Sequence, residues 1–288
     1  MMSETTKKKM SKKKKILIIV LSVLLALIIL AVAAGLIALN WYCKTPDYTV
    51  YQTPQNVELV AHRGFRAIVP ENTVPAFEEA GKAGFYGAEC DVYRTADGVW
   101  VIHHDPITYR MTGGLSMVED KTYDELMEET VDNGSNIENY DSLKMCTLEE
   151  YLQICSSYGM VPVIELKSAN NTEYYSEIVD MLSQFPDLEP VFISFHYEDL
   201  TAMRALTDAP CWYLVQEITD EDIEMALAIG GDCGIDFNYA KEENTDEVIQ
   251  KCIDAGLTVG AWTVDEPEAV DRLASLGVEY ITTDNITY

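Results

Sequence analysis

Apolar positions along this chain fall into two regimes. Ile16–Leu39 is an uncharged, almost wholly apolar run, about the length needed to cross a hydrocarbon core of roughly 30 Å, and it predicts one transmembrane helix. Beyond Val57 the apolar residues come instead in short runs of strand character: ELVAH, GAECDVY, VPVIEL, VFISFH, CWYLVQ, GIDFNY, LTVGAWTV and EYITTD. Between them lie amphipathic stretches such as TVPAFEEAGKAG, TLEEYLQICSSYG and NTDEVIQKCIDAG, with glycines suited to helix C-caps. Eight strand patterns alternating with helical ones predict a parallel (β/α)₈ barrel of the TIM type, an α/β fold.

One segment breaks the rhythm. GAECDVY is followed, after the turn residues Ala96-Asp97-Gly98, by VWVIHH, and so short a connection permits only an antiparallel hairpin. With a two-residue loop at Asp97-Gly98, Ala96 pairs with Val99 and His104 lies opposite Asp91; a bulge reverses that register. Residues 105–146 are rich in polar and turn residues and are expected to form a lid-like insertion over the barrel mouth after the second strand. The expected organisation is a basic cytoplasmic tail (1–15), the membrane helix (16–39), a linker (40–56) and the barrel domain (57–288).

Charge sharpens this picture. Lys7, Lys8, Lys9, Lys12, Lys13, Lys14 and Lys15 crowd the N-terminus against Glu4 alone. Removing these seven from the 20 basic residues, and that one from the 48 acidic, leaves 13 against 47, a formal charge of −34 on the remainder. The lysine block is expected to stay in the cytoplasm and to place the barrel on the outer face of the cell membrane, with Trp41 and Tyr42 at the interface. A signal peptide cleaved at Ala31-Val32-Ala33 is the competing reading. So acidic a domain repels polyanions and argues against nucleic acid as a partner. The seven cysteines show no CxxC spacing and are expected mostly as small buried hydrophobes. Oligomeric state leaves no mark in the sequence.

The candidate chemistry lies at strand ends, the catalytic rim of such a barrel. All four histidines, His62, His103, His104 and His196, fall there. Glu89 and Asp91, two apart on one strand, project from the same face. Glu165 ends the next barrel strand and completes a three-carboxylate oxygen set of the kind that holds Ca²⁺ or Mg²⁺.

The ordered motifs His-Arg-Gly (62–64), Pro-Glu-Asn-Thr (70–73), Glu-x-Asp (89–91), the Asp-Gly turn (97–98) and His-Asp (104–105) are followed by IELK, ISF, AWTV and GVEYITTDN. Together they resemble the glycerophosphodiester phosphodiesterase family over residues 57–288. The resemblance implies His62 and His104 as a general acid and base pair. Glu89, Asp91 and Glu165 would be ligands of a divalent metal, and Arg63 and Lys167 phosphate-contacting cations. Trp262 would pack beside the substrate glycerol, and Glu71 would have a supporting place at the rim. It further implies hydrolysis of small glycerophosphodiesters to glycerol 3-phosphate and an alcohol, through a cyclic phosphate. A phospholipase acting on intact phospholipid and a catalytically inactive surface binding module are the alternatives.

Overall fold

A computed structural model describes residues 12–42, 48–167 and 169–288, which form two units. The first is a single helix, Lys12–Tyr42. Its window Ile18–Gly35 has a mean hydropathy of 3.1 and is unburied, and by length and composition it could cross a membrane or serve as a signal sequence. Lys7, Lys8, Lys9 and Cys43 lie outside the described residues.

The second unit is the barrel. Its eight parallel strands are β1 (Glu58–Ala61), β2 (Gly87–Arg94), β3 (Val161–Leu166), β4 (Val191–Ser194), β5 (Cys211–Val215), β6 (Cys233–Asn238), β7 (Thr258–Trp262) and β8 (Tyr280–Thr283). Each pairs with its chain neighbour, and β8 returns to pair with β1, placing Thr283 opposite Ala61 and closing the ring. Period-two alternation assigns the faces. On β2, Ala88, Cys90 and Val92 join the large core beneath the helices, which leaves Glu89 and Asp91 to the interior. Val60, Val163, Ile193, Trp212 and Leu214 fill the barrel itself. The helices are cut where the sequence places capping residues: Thr73 caps Val74–Ala83, and Thr147 with Glu150 forms a capping box on Leu148–Tyr158. Gly84 and Gly159 end these two helices in the left-handed conformation that only glycine adopts without strain.

Two expectations need revision. The hairpin pairs Val92 with Ile102, Tyr93 with Val101 and Arg94 with Trp100, one residue out of the two-residue-loop register. Its loop is Ala96-Asp97-Gly98, with Gly98 at φ 93°, closed by Thr95, whose amide donates to Val99 O and whose hydroxyl accepts from the Val99 amide. A left-handed glycine closing a three-residue loop shifts the ladder in this way. The next ladder bond therefore runs from the His103 amide to Asp91 O at 2.9 Å, a backbone contact only. Second, Tyr48–Asn56 is tied to the barrel instead of spanning free: Thr49–Val50 pairs in parallel with Ile286–Thr287, and the Tyr51 hydroxyl donates to Asp271 at 2.6 Å. Residues 105–146, the expected insertion, carry a small core in which Val118, Leu126 and Met145 pack on Tyr93 and Val101 of the hairpin. The six described cysteines are all free, and Cys90, Cys146, Cys155, Cys211 and Cys252 are buried.

Tyr151 pins the two strands that carry the acidic residues. Fully buried, its hydroxyl donates to Ala88 O on β2 (2.6 Å) and accepts from the Val163 amide on β3 (3.0 Å). Tyr151→Phe strands both backbone groups and is expected to destabilise the barrel by about 1–3 kcal/mol, read as a lower midpoint in chemical denaturation of the detergent-solubilised chain.

Candidate active site

The turn after β1 organises the rim. The His62 amide donates to Thr283 O, extending the β1–β8 ladder by one bond. The chain then reverses through two left-handed residues, Arg63 (φ 56°) and Gly64 (φ 75°). A Cβ on Gly64 would sit 2.6 Å from the backbone carbon of Ala76, so only glycine fits there. The reversal brings the Arg63 amide onto Glu89 Oε2 at 2.9 Å. Asn72, also left-handed (φ 55°), donates its side-chain amide to Asp91 Oδ2 at 2.7 Å.

Glu89, Asp91 and Glu165 are buried side by side, with one oxygen of each within 4.8 Å of the others. The β2–β3 register sets Asp91 directly opposite Glu165. Burial, reinforced by the charges of Asp91 and Glu165, pushes the Glu89 carboxyl well above the ordinary carboxylate range. Glu165 is pushed up to about 7 by burial, with Lys167 pulling against that shift and Asp91 adding to it. Asp91 goes the other way: burial opposes its charge, but Lys167, His104, Arg63 and the Asn72 amide hold it well below the usual range. Lys167 Nζ lies 2.8 Å from Glu165 Oε1 and 3.3 Å from Asp91 Oδ1. Asp91 Oδ1 accepts no well-aligned hydrogen bond and is left with the Lys167 ion pair. Three buried carboxylates, two of them held above their usual pKa by burial and then by neighbouring carboxylate charge, fit a hard divalent cation. Beneath them Asp236 on β6 is pushed up to about 8 by burial and the Glu165 charge, with Oδ1 unpaired.

The two candidate acid–base histidines flank this cluster, each with Nδ1 on a carboxylate. His62 Nδ1 lies 2.6 Å from Asp284 Oδ1, and His104 Nδ1 lies 2.8 Å from Asp105 Oδ1. Asp105 is held down at about 2, burial being outweighed by His104 and Arg110. Asp284 is likewise lowered, by His62, Arg66 and Arg63 against burial. Both are therefore ionised and can only accept, which places a proton on each Nδ1 and leaves each Nε2 with its lone pair when the ring is neutral. Burial together with Arg63 and Arg66 lowers the His62 pKa, and Asp284 works against that shift. His103 is turned away: its Nδ1 lies 2.8 Å from the Asp105 backbone oxygen.

Arg63 is buried, with Nη1 donating to Glu71 at 2.9 Å and Nε 3.5 Å from Asp91. Trp262, half-buried at the end of β7, donates Nε1 to Asp236 O at 3.2 Å and meets Phe195 edge-on. His196, after β4, stands at the N-cap position of the helix Tyr197–Arg204 without a side-chain capping bond. Sequence reading passed over Asp284, Asp105, Arg66, Arg110 and Asn72. Weak signals existed: Asn72 stands inside Pro-Glu-Asn-Thr, and Arg110 is the lone charge in the thirteen residues 106–118.

Comparison with known proteins places the chain in a family. The sequence model of the glycerophosphoryl diester phosphodiesterase family matches residues 62–288. A glycerophosphodiester phosphodiesterase from Caldanaerobacter subterraneus subsp. tengcongensis is 29% identical over 232 residues, 79% of this chain and 93% of its own length. An Oleispira antarctica phosphodiesterase, solved in complex with the product sn-glycerol-3-phosphate, matches with a TM-score of 0.73 at 26% identity, over 81% of this chain and 93% of that one. A glycerophosphodiester phosphodiesterase from Parabacteroides distasonis matches with a TM-score of 0.66 at 28% identity, over 80% and 93%. With the matched span running from His62 through every residue of the acidic cluster to the C-terminal strand, the chain belongs to the glycerophosphoryl diester phosphodiesterase family.

Proposed function

We propose that this chain hydrolyses glycerophosphodiesters to glycerol 3-phosphate and an alcohol, with His62 and His104 as the acid–base pair. The observation that carries this reading is the matched state of the two rings: each Nδ1 rests on an ionised aspartate, so each Nε2 can take or give a proton. One Nε2 accepts the proton of the glycerol hydroxyl next to the ester as that oxygen attacks phosphorus. The other donates to the departing alcohol oxygen, giving a cyclic phosphate. Water then opens the ring with the two roles exchanged, which restores both histidines. Glu89, Asp91 and Glu165 would hold a Ca²⁺ or Mg²⁺ ion, which when bound supplies positive charge to the phosphate oxygens. Lys167 and Arg63 lie against the same carboxylates and would share that task, so that an acidic domain can accept an anion. Trp262 offers an aromatic face to the glycerol. Residues 105–146 would border the mouth as a fixed wall with a core of its own.

A second reading, cleavage of intact phospholipid, is favoured by one feature. Ile107, Tyr109, Leu115 and Met117, in the segment directly after His104-Asp105, are exposed, Leu115 to 82%. Rates on phosphatidylcholine and on glycerophosphocholine, compared at matched concentration, decide between the two. The helix Lys12–Tyr42 would hold the chain in the cell membrane with the barrel outside the cytoplasm. Full-length protein resisting alkaline extraction from membranes is the expected result, and a shortened soluble form would show cleavage instead.

The direct test assays glycerol 3-phosphate release from glycerophosphocholine by the full chain with Ca²⁺, with Mg²⁺ and with chelator. Release is expected with one cation and not with chelator. His62→Ala and His104→Ala should each lower kcat on the order of 10²-fold or more, and full turnover by a folded variant would sink the assignment. Cation binding must displace the protons that Glu89 and Glu165 carry, and Glu165 titrates at about 7. Affinity measured by calorimetry should therefore weaken as pH falls through 7, with proton release visible as a buffer-dependent enthalpy. Glu165→Gln should remove its share of that release.

A further inference from the structure

The two histidines do not stand on separate supports. From His62 the contacts run through Asp284 to Arg66, whose Nη1 lies 3.4 Å from the Asp284 carboxylate and whose Nη2 lies 3.1 Å from Glu71 Oε2. From His104 they run through Asp105 to Arg110, whose Nε donates to Asp105 Oδ2 and whose Nη2 donates to Glu71 Oε1, both at 2.6 Å. Each arm has the same order, imidazole, aspartate, arginine, and both end on one carboxylate. Arg63 Nη1 adds a third guanidinium to Glu71 Oε1. Glu71 is 5% exposed.

We infer that Glu71 is a positioning residue for both histidines at once, fixing through Arg66–Asp284 and Arg110–Asp105 the orientation in which each Nδ1 is turned inward and each Nε2 is left for the reacting oxygens. This rests on the reading of His62 and His104 as the acid–base pair. A purely stabilising role explains the arrangement poorly. Burying three guanidiniums around one carboxylate carries a desolvation penalty that ion pairing repays only with good geometry, and an apolar cluster of the same volume is often as stable. What the ionic version adds is direction. A planar guanidinium donating from different nitrogens to Glu71 and to an aspartate fixes where that aspartate lies, and an aspartate accepting from Nδ1 fixes the ring. The two arms come from different parts of the chain, one from residues 66 and 284 and the other from residues 105 and 110. Glu71, in the loop before the helix Val74–Ala83, is where they meet.

The charged groups around each site set the sign of the test. His62 faces Asp284, Arg63 and Arg66; His104 faces Asp105 and the nearby Asp91; Glu71 faces the three arginines, with His103 beyond Arg110. In Glu71→Gln the arginine charges lose their counter-ion beside both histidine–aspartate pairs, which disfavours imidazolium on each side. In the full chain kcat is expected to fall on the order of tenfold or more. Both limbs of its pH profile should move to lower pH. Asp284→Asn and Asp105→Asn should each move one limb, a different one, and Glu71→Asp should restore part of both. Nitrogen NMR of the four histidines should report loss of the Nδ1-protonated tautomer at His62 and His104 together in Glu71→Gln. A Glu71→Gln profile that differs from wild type only in height, with both limbs in place, would overturn the inference while leaving the histidine assignment standing. Turnover in His62→Ala would instead overturn the assignment beneath it. If Glu71→Gln does not fold, Arg110→Lys keeps the charge but not the fork: displacement of the His104 limb alone supports the shared anchor, and two unmoved limbs refute it.

Discussion

Three carboxylates buried against one another at the mouth of a barrel are untenable without positive charge close by, and the architecture of the rim follows from that demand. β2 and β3 must lie in the register that sets Asp91 opposite Glu165, because a slip of one residue would send the whole set to the helix side. Lys167 stands two residues beyond Glu165, on the same face, and reaches back to both acids. Arg63 approaches from β1 only because the chain reverses there through positive φ, a conformation that disfavours a residue with a Cβ by about 1–2 kcal/mol. The same reversal aims its amide at Glu89. Local strain, an Asp91 oxygen held only by the Lys167 ion pair and two carboxyls held above their usual range thus share one cause.

The fold was legible because alternation is a local signal. Each of the eight strand patterns named its own faces, and the Glu89/Asp91 pair declared its common side without any knowledge of neighbours. What stayed hidden was set by long-range geometry or by one backbone angle. The His62–Asp284 contact joins residues 222 apart in sequence, and no periodicity encodes which aspartate will arrive at a given ring. The hairpin register turned on whether Gly98 closes a two- or a three-residue loop, a difference of one left-handed φ. Glu71 stood in view inside Pro-Glu-Asn-Thr, but its importance lies in what converges on it. Of those arginines, Arg66 carries no mark in the sequence, and Arg110 only that of being the lone charge in residues 106–118.

The segment 105–146 shows what composition leaves out. Its polar and turn-rich sequence gives no hint of how it is held, whereas a few apolar residues, Val118, Leu126 and Met145, dock it on Tyr93 and Val101. Ser116 and Thr112 hold Glu129 at 2.6 Å each, and Ser135 reaches the backbone of Arg66. Polar residues here satisfy backbone and side-chain partners within the protein and are not simply solvated, so a segment without hydrophobic periodicity still adopts one arrangement.

The closure of the ring has a consequence for how the molecule comes into being. β1 finds its second neighbour in β8, Thr49–Val50 pairs with Ile286–Thr287, and the hydroxyl of Tyr288 accepts from the Leu59 amide at 2.9 Å. The first strand of the barrel thus depends on residues more than two hundred positions further along: the Leu59–Tyr288 bond spans 229 residues and the His62–Asp284 contact 222. Until β8 has been synthesised, β1 keeps an open edge, and Asp284, which holds the His62 ring, does not yet exist. Such long sequence separations slow folding, so the barrel can close, and its rim become competent, only once β8 and Asp284 have been made.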